Sequence, residues 1–229
     1  MRCNSEVYID YYKYLIEHKQ IKEFYQEYLK HILEHKSKVW IAFLYICDTL
    51  CELGFINEND MDGISKLIMR HDESKLYSDE FIPYARKFNG PRPKDARVKE
   101  KFKEAVKLHK ERNLHHFEAL KTYKGDNWQY YAIELICDYI AMGWEFDNYI
   151  CEYFEKIKDE LKNALPNSYY NYIESIIKII PFKLPFAEIP LTENIIENIY
   201  YTFNRYCDPF EDNNTSNNCV KSITHTFNN

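Results

Sequence analysis

Glycine is scarce in this chain, five among 229 residues, and stretches in which β-branched and polar residues alternate are few. Both shortages argue against a sheet and for helices. No Cys-x-x-Cys occurs. The seven cysteines (Cys3, Cys47, Cys51, Cys137, Cys151, Cys207 and Cys219) are an odd, scattered set, mostly inside apolar helical runs, where they read as reduced, buried thiols of a cytoplasmic protein. The amino terminus, Met1-Arg2-Cys3-Asn4-Ser5-Glu6, lacks the apolar core of a signal peptide. The longest apolar run, Val39 to Cys47, is broken by Asp48 and is too short to span a bilayer. Without secretion the acceptor-like triplet Asn214-Thr215-Ser216 carries no meaning. No internal repeat and no low-complexity linker divides the chain, whose length suits one domain.

The formal charge is −6, which gives no general reason to expect a nucleic acid or an anionic membrane surface as partner. It is unevenly spread. Between Arg86 and Lys124 there are thirteen Lys/Arg against five Asp/Glu, either an electropositive approach for an anionic substrate or a solvated helix face. Twenty-one tyrosines make the chain rich in aromatic residues.

Periodicity gives a series of helices. Residues 5–19 form a Tyr-rich amphipathic one. A long helix or helix pair runs from Ile21 to Leu53 and stops at Gly54 as C′ residue; its stripe of Ile32, Val39, Phe43, Ile46 and Leu50 takes in His35. His31, one turn earlier, falls on the same face, and His18, His31 and His225 read as hydrogen-bonded core residues. Asp60 is the expected N-cap of a helix through Arg70, and Ser78 or Asp79 that of one through Phe88. Asn89-Gly90-Pro91-Arg92-Pro93 is a loop. A basic helix from about Asp95 to Arg112 carries Val98, Phe102, Ala105 and His109 on one face, and Asn113 to Glu118 turns into a short helix. The run from Trp128 to Trp144, including Met142, is apolar nearly all round and belongs at the centre. Helices over 147–164 and 167–180, an irregular Pro181–Pro190 stretch, a helix from Thr192 to Tyr206 and an Asn-rich tail from Glu211 complete the chain.

The pattern that organises the rest is Arg70-His71-Asp72-Glu73-Ser74-Lys75. Adjacent His and Asp side chains diverge on a regular helix, but both reach one metal ion where a helix is ending. Asp138 lies mid-helix in the most apolar segment, where an unpaired carboxylate would cost several kcal/mol; it must be protonated, paired or metal-bound. Glu134, one turn earlier, is close enough to share the site. Taken together, His35, His71, Asp72, His109, His116 and Asp138 are the ligand types that zinc, iron, manganese and nickel accept, with Asp72 suited to bridging two ions. The residues alone leave open whether His115 or His116 is the primary ligand, or whether each serves one site.

The order His35 … His71-Asp72 … His109 … His115-His116 … Asp138 resembles the HD superfamily of helical metal-dependent phosphohydrolases. His71-Asp72-Glu73-Ser74-Lys75 is similar to the His-Asp-x-Gly-Lys form of its binuclear branches, and His115-His116-Phe117-Glu118 to the His-His-Glu run of the HD-GYP branch. A poorly characterised HD-like family of bacteria and phages is similar over roughly residues 30–145, including Asp79-Glu80-Phe81, Asn113 and the Glu134-x-x-x-Asp138 helix. The chain departs from the pattern at Ser74, which replaces the usual glycine. No Gly-Tyr-Pro follows the His-His run, and His109 precedes His115 by only six positions, so a cyclic dinucleotide is not the implied substrate.

The resemblance implies an all-α, HD-like bundle over residues 1–146. The periodicity beyond it gives a helical extension over 147–210 packed on that bundle and a flexible tail over 211–229, a carboxy-terminal third that no resemblance covers. It implies one or two divalent ions (Mn, Fe, Zn, Co or Ni) held by His35, His71, Asp72, His109, His115 or His116, and Asp138. The expected activity is hydrolysis of a small phosphorylated substrate, a nucleotide first, with Asp72 and Lys75 in the catalytic machinery. Lys75, Lys107, Lys110, Arg112 and Asn113 are candidates to hold the substrate. Two other readings stand beside it: a diiron oxygenase, since the same fold hosts myo-inositol oxygenase with this ligand order, and a non-catalytic metal-binding or regulatory protein. The aromatic carboxy-terminal helices leave packing on a partner or a second copy open.

Overall fold

Helix α1 (Glu23–Glu52) is the spine of the computed structural model, which describes residues 23–180. Along it follow α2 (Met61–Met69), α3 (Ser78–Phe88), α4 (Ala96–Arg112), the one-turn α5 (Phe117–Leu120), α6 (Trp128–Glu145), α7 (Ile150–Ala164) and α8 (Asn167–Ile179). Single 3-10 turns precede α2 and α3, at Glu58–Asp60 and Glu73–Leu76. The described residues contain no strand and form an all-α bundle, in line with the scarcity of glycine and of alternating runs. The expected helices at 5–19 and Thr192–Tyr206, the Pro181–Pro190 stretch, the tail, His18, His225, Cys3, Cys207 and Cys219 lie outside the described residues.

The predicted stripe of α1 is buried throughout: Ile32, Val39, Phe43, Ile46 and Leu50. The helix closes where expected. Gly54 takes φ +75, the left-handed value a C′ glycine adopts without a Cβ clash. The Phe55 N–H then donates to the Leu50 carbonyl at 2.8 Å and the Gly54 N–H to that of Cys51 at 3.0 Å. Asp95 caps α4, accepting from the Arg97 N–H at 2.8 Å. Asp60 holds the expected N-cap position of α2 but makes no side-chain capping bond, because its carboxylate accepts from the Tyr130 hydroxyl at 2.6 Å and from Asn57. The cap of α3 differs from expectation. The backbone before α3 is extended at Tyr77, which holds the N-cap position in place of Ser78 or Asp79. His31 is exposed, not core; it lies on the flank of the stripe, against the ring of Tyr28. Met142 also reaches solvent, at 36% exposure, the exposed position on an α6 whose other residues are buried or half-buried.

Two apolar clusters form on α1, one at each end. The amino-terminal half of α1 (Tyr25, Tyr28, Leu29, Ile32, Leu33) packs with Leu76, with Phe81, Tyr84 and Ala85 of α3, and with Ala105 of α4. The carboxy-terminal half, from Val39 to Leu50, packs with α2, α6, α7 and α8. Each fully buried large side chain in these clusters contributes roughly 1.5–3 kcal/mol. Residues 150–180 share that second core with α6. The interval on α1 between the clusters holds three consecutive buried polar residues, His35, Lys36 and Ser37. This polar layer is where the turn after α2, helices α3, α4 and α6, and the turn between α4 and α5 deliver their histidines and acids. No helix among the described residues is long and apolar enough to cross a membrane.

Candidate metal centre

Helix α2 ends at Met69, and the doublet follows in the turn beyond it. The N–H of His71 donates back to the Ile68 carbonyl at 3.0 Å. Asp72 then takes φ 56, ψ 21, a left-handed conformation that costs a non-glycine residue about 1–2 kcal/mol and that Asp tolerates better than most. This reversal is how neighbouring side chains come to face one point. His71 is 1% exposed and Asp72 3%.

Two groups of ligand atoms meet at Asp72. On the Oδ2 side are the Nε2 atoms of His35 and His71 and Oδ1 of Asp138. The separations His35–His71, His35–Asp72, His35–Asp138, His71–Asp72 and His71–Asp138 run from 3.1 to 3.8 Å. Four ligand atoms at about 2.1 Å from a tetrahedral metal lie ~3.4 Å apart, so this spacing fits one ion. On the Oδ1 side are Nε2 of His109 at 3.1 Å and Nε2 of His115 at 3.4 Å. His116 joins this group, with ligand atoms of Asp72, His109, His115 and His116 all within 4.8 Å of one another. The structure thus brings every expected ligand together, both histidines of the pair included.

Behind the imidazoles stands a second row of acids that fixes their orientation. Glu145 Oε1 lies 3.1 Å from Nδ1 of His35. Glu134 Oε1 lies 2.9 Å from Nδ1 of His71 and 3.2 Å from Nδ1 of His115. Glu80 Oε2 lies 2.9 Å from Nδ1 of His109 and accepts from the Ser74 hydroxyl at 2.9 Å, while its Oε1 accepts from Arg112 at 2.9 Å. A carboxylate on Nδ1 holds the proton there and leaves the Nε2 lone pair to face the centre, the arrangement that orients metal-binding histidines. Three acids, Glu134, Asp138 and Glu145, fall at spacings of four and seven on one face of α6. Glu145 went unrecognised in the sequence, although that spacing was its signal.

The charges without a cation are strained accordingly. Burial pushes the His115 imidazole down, but Glu134 and Asp72 outweigh it and hold it up at about 10. Burial also lowers His35, and Asp138 and Glu145 more than reverse this, to about 9. His116 is driven down to about 2 by burial and by its neighbours His115 and His109. Burial would raise the carboxyls of Asp72 and Asp138, yet the surrounding histidines, with Lys75 for Asp72, keep both well below the usual range. Three buried atoms, Oδ1 of Asp72 and Nε2 of His115 and His116, have no hydrogen-bond partner; the 3.1 Å approach of His109 to Oδ1 is off hydrogen-bonding geometry. Unmade bonds of this kind cost about 1–3 kcal/mol each. All three adjoin one position, where a cation would satisfy them together, so the residues fit a metal ion.

The expected substrate residues are engaged by the chain itself. Lys75 turns its ammonium onto Asp72 Oδ2 and stays 21% exposed. Arg112 forks onto Asp79 at 2.6 and 2.8 Å and reaches Glu80 at 2.9 Å. Lys110 pairs with Glu118. The Asn113 amide donates to Ser74 Oγ and to the His109 carbonyl, both at 2.7 Å. Arg112 and Asn113 therefore brace the Glu80–His109 pair in this structure. Lys107 lies on the solvated face of α4 beside Glu111.

Fold and site together define an all-helical protein with a buried histidine–carboxylate cluster that could hold a metal ion. The chain belongs to DUF5662, a family of unknown function whose model matches residues 24–179, the span that contains every candidate ligand. No curated protein and no solved structure matches it.

Proposed function

We propose that this chain is a metal-dependent phosphohydrolase of the HD type, acting on a small phosphorylated molecule, with nucleotides the first class to test. The observation that carries the proposal is the division of Asp72, whose two oxygens face separate groups of imidazole Nε2 atoms 3.1–3.8 Å away. His35, His71 and Asp138 would hold one ion, His109, His115 and His116 a second, and Asp72 would bridge them. Manganese, iron, zinc, cobalt and nickel all accept this ligand set, and when bound such ions supply Lewis acidity toward phosphate oxygens and a water deprotonated near neutral pH. Glu80, Glu134 and Glu145 keep the imidazoles in the tautomer that binds. The apolar clusters on either side keep bulk water from the buried ligands and strengthen each charge interaction there. Lys75, anchored on Asp72 at the rim, is the cation within reach of a non-bridging phosphate oxygen.

Elemental analysis of the purified protein, followed by a phosphatase and nucleotidase screen across Mn, Co, Ni, Mg and Fe, tests the reading. Phosphate release that depends on one of these metals supports it; no release with any of them refutes it. Oxygen uptake by the iron-loaded protein with a polyol or phosphonate would assign the oxygenase reading instead. Absence of metal together with indifference to a chelator would leave a non-catalytic protein.

A further inference from the structure

Lys36 is the one buried lysine or arginine among the described residues, 3% exposed. A long cationic side chain is seldom buried without an ion pair. Yet no carboxylate lies within salt-bridge distance of Lys36 among the described residues. Its ammonium donates to the backbone carbonyl of His71. The turn's own hydrogen bonds run to the carbonyls of Ile68, Arg70 and Asp72, which leaves the His71 carbonyl available. That carbonyl belongs to the peptide joining His71 to Asp72, and its direction is set by ψ of His71 and φ of Asp72. Rotating this peptide would release Asp72 from its left-handed conformation (φ 56), and would swing both side chains away from the centre.

We propose that Lys36 is a positioning residue that clamps the His71–Asp72 peptide and so holds the doublet in metal-binding geometry. The lysine reaches the turn from α1, the helix that also carries His35, so one helix supplies a ligand and fixes the presentation of two more. Its charge further offsets the acids around it, Asp72, Glu73 and Glu134, with Arg70 the opposing cation. The inference rests on the cluster binding metal, not on the reaction performed there.

The test is a Co(II) titration of the full chain with the visible d–d spectrum as readout, comparing the native protein with Lys36→Met, Lys36→Arg and Lys36→Gln. Lys36→Met, which keeps the stem and removes the donor, should stay helical by circular dichroism. It should lose about 10–100-fold in affinity, the effect of removing a partner that orients ligands, and show a shifted d–d band. Lys36→Arg, a cationic donor, should recover most of both. If Lys36→Met does not fold, Lys36→Gln, neutral and shorter, reads the same loss. Native affinity and spectrum in a folded Lys36→Met or Lys36→Gln protein would overturn the clamp while leaving the metal site intact. Failure of the native protein itself to bind Co(II) would overturn the metal reading and the clamp with it. Exposed Lys30, paired with Glu34 one turn later, is the control: Lys30→Met should match the native curve.

Discussion

Replacing Glu134 by Gln should weaken metal binding about thirtyfold while leaving the fold intact. Glu134 is 3% exposed, and its Oε1 is shared by Nδ1 of His71 at 2.9 Å and Nδ1 of His115 at 3.2 Å. It therefore governs one imidazole in each of the two ligand groups. A hydrogen bond to a charged acceptor contributes about 1.5–3 kcal/mol and one to a neutral acceptor about 0.5–1.5. The amide oxygen of Gln thus forfeits about 1 kcal/mol at each histidine, ~2 kcal/mol in all, which is about thirtyfold in affinity. If the amide nitrogen faces the rings instead, it drives the proton to Nε2 and removes the lone pair, and the loss is larger. A chelator-competition titration with Zn(II) or Co(II) measures the affinity, and circular dichroism monitors the fold. Glu111→Gln, at an exposed position on α4, is the matched control. A Glu134→Gln protein with native affinity and an unchanged Co(II) spectrum would refute the claim that the second row of acids sets the tautomers.

Three further outcomes are expected. His71→Ala and Asp138→Ala should each lose bound metal and activity together by elemental analysis and assay, whereas His31→Ala, at an exposed position, should lose neither. In the chelated protein, His35 and His115 are raised to about 9 and about 10. The folded state therefore binds more protons than the unfolded chain above their ordinary value of about 6.5, and their contribution is full below that pH and lost as pH rises through 9–10. His116, held down at about 2, works in the other direction: the unfolded chain takes up its proton below about 6.5, so stability falls as pH drops from there. The Tm of the chelated protein should thus peak near neutrality and fall toward pH 10. Metal-loaded protein, with a cation in place of those protons, should hold its Tm over the alkaline range; a chelated Tm that rises from pH 7 to 10 would contradict the assigned pairings. Finally, Phe43→Ala, at a position 1% exposed in the larger cluster, should cost about 3–5 kcal/mol. At 2–4 °C per kcal/mol for a chain of this size, Tm should fall by about 10 °C in thermal unfolding, with metal stoichiometry retained.

Local pattern was enough to give the helices among the described residues and the inward direction of His35 and His109. A 3.6-residue period is local, so the stripe from Ile32 to Leu50 places His35 inside before any partner is known, and the apolar surroundings of Asp138 require it to be protonated, paired or bound to metal. Caps were less legible where a side chain had a better distant partner, as Asp60 does in Tyr130. Which acid backs which imidazole is settled by helix docking, because those pairs join residues far apart in the chain, 110 positions for His35–Glu145 and 63 for His71–Glu134. No periodicity encodes them. The same holds for the left-handed turn at Asp72, the burial of Lys36 beneath it, and the capture of Arg112 and Asn113 by the Glu80–His109 pair. Each is a choice among partners that become neighbours only when α1, α2, α3, α4 and α6 close around one polar layer.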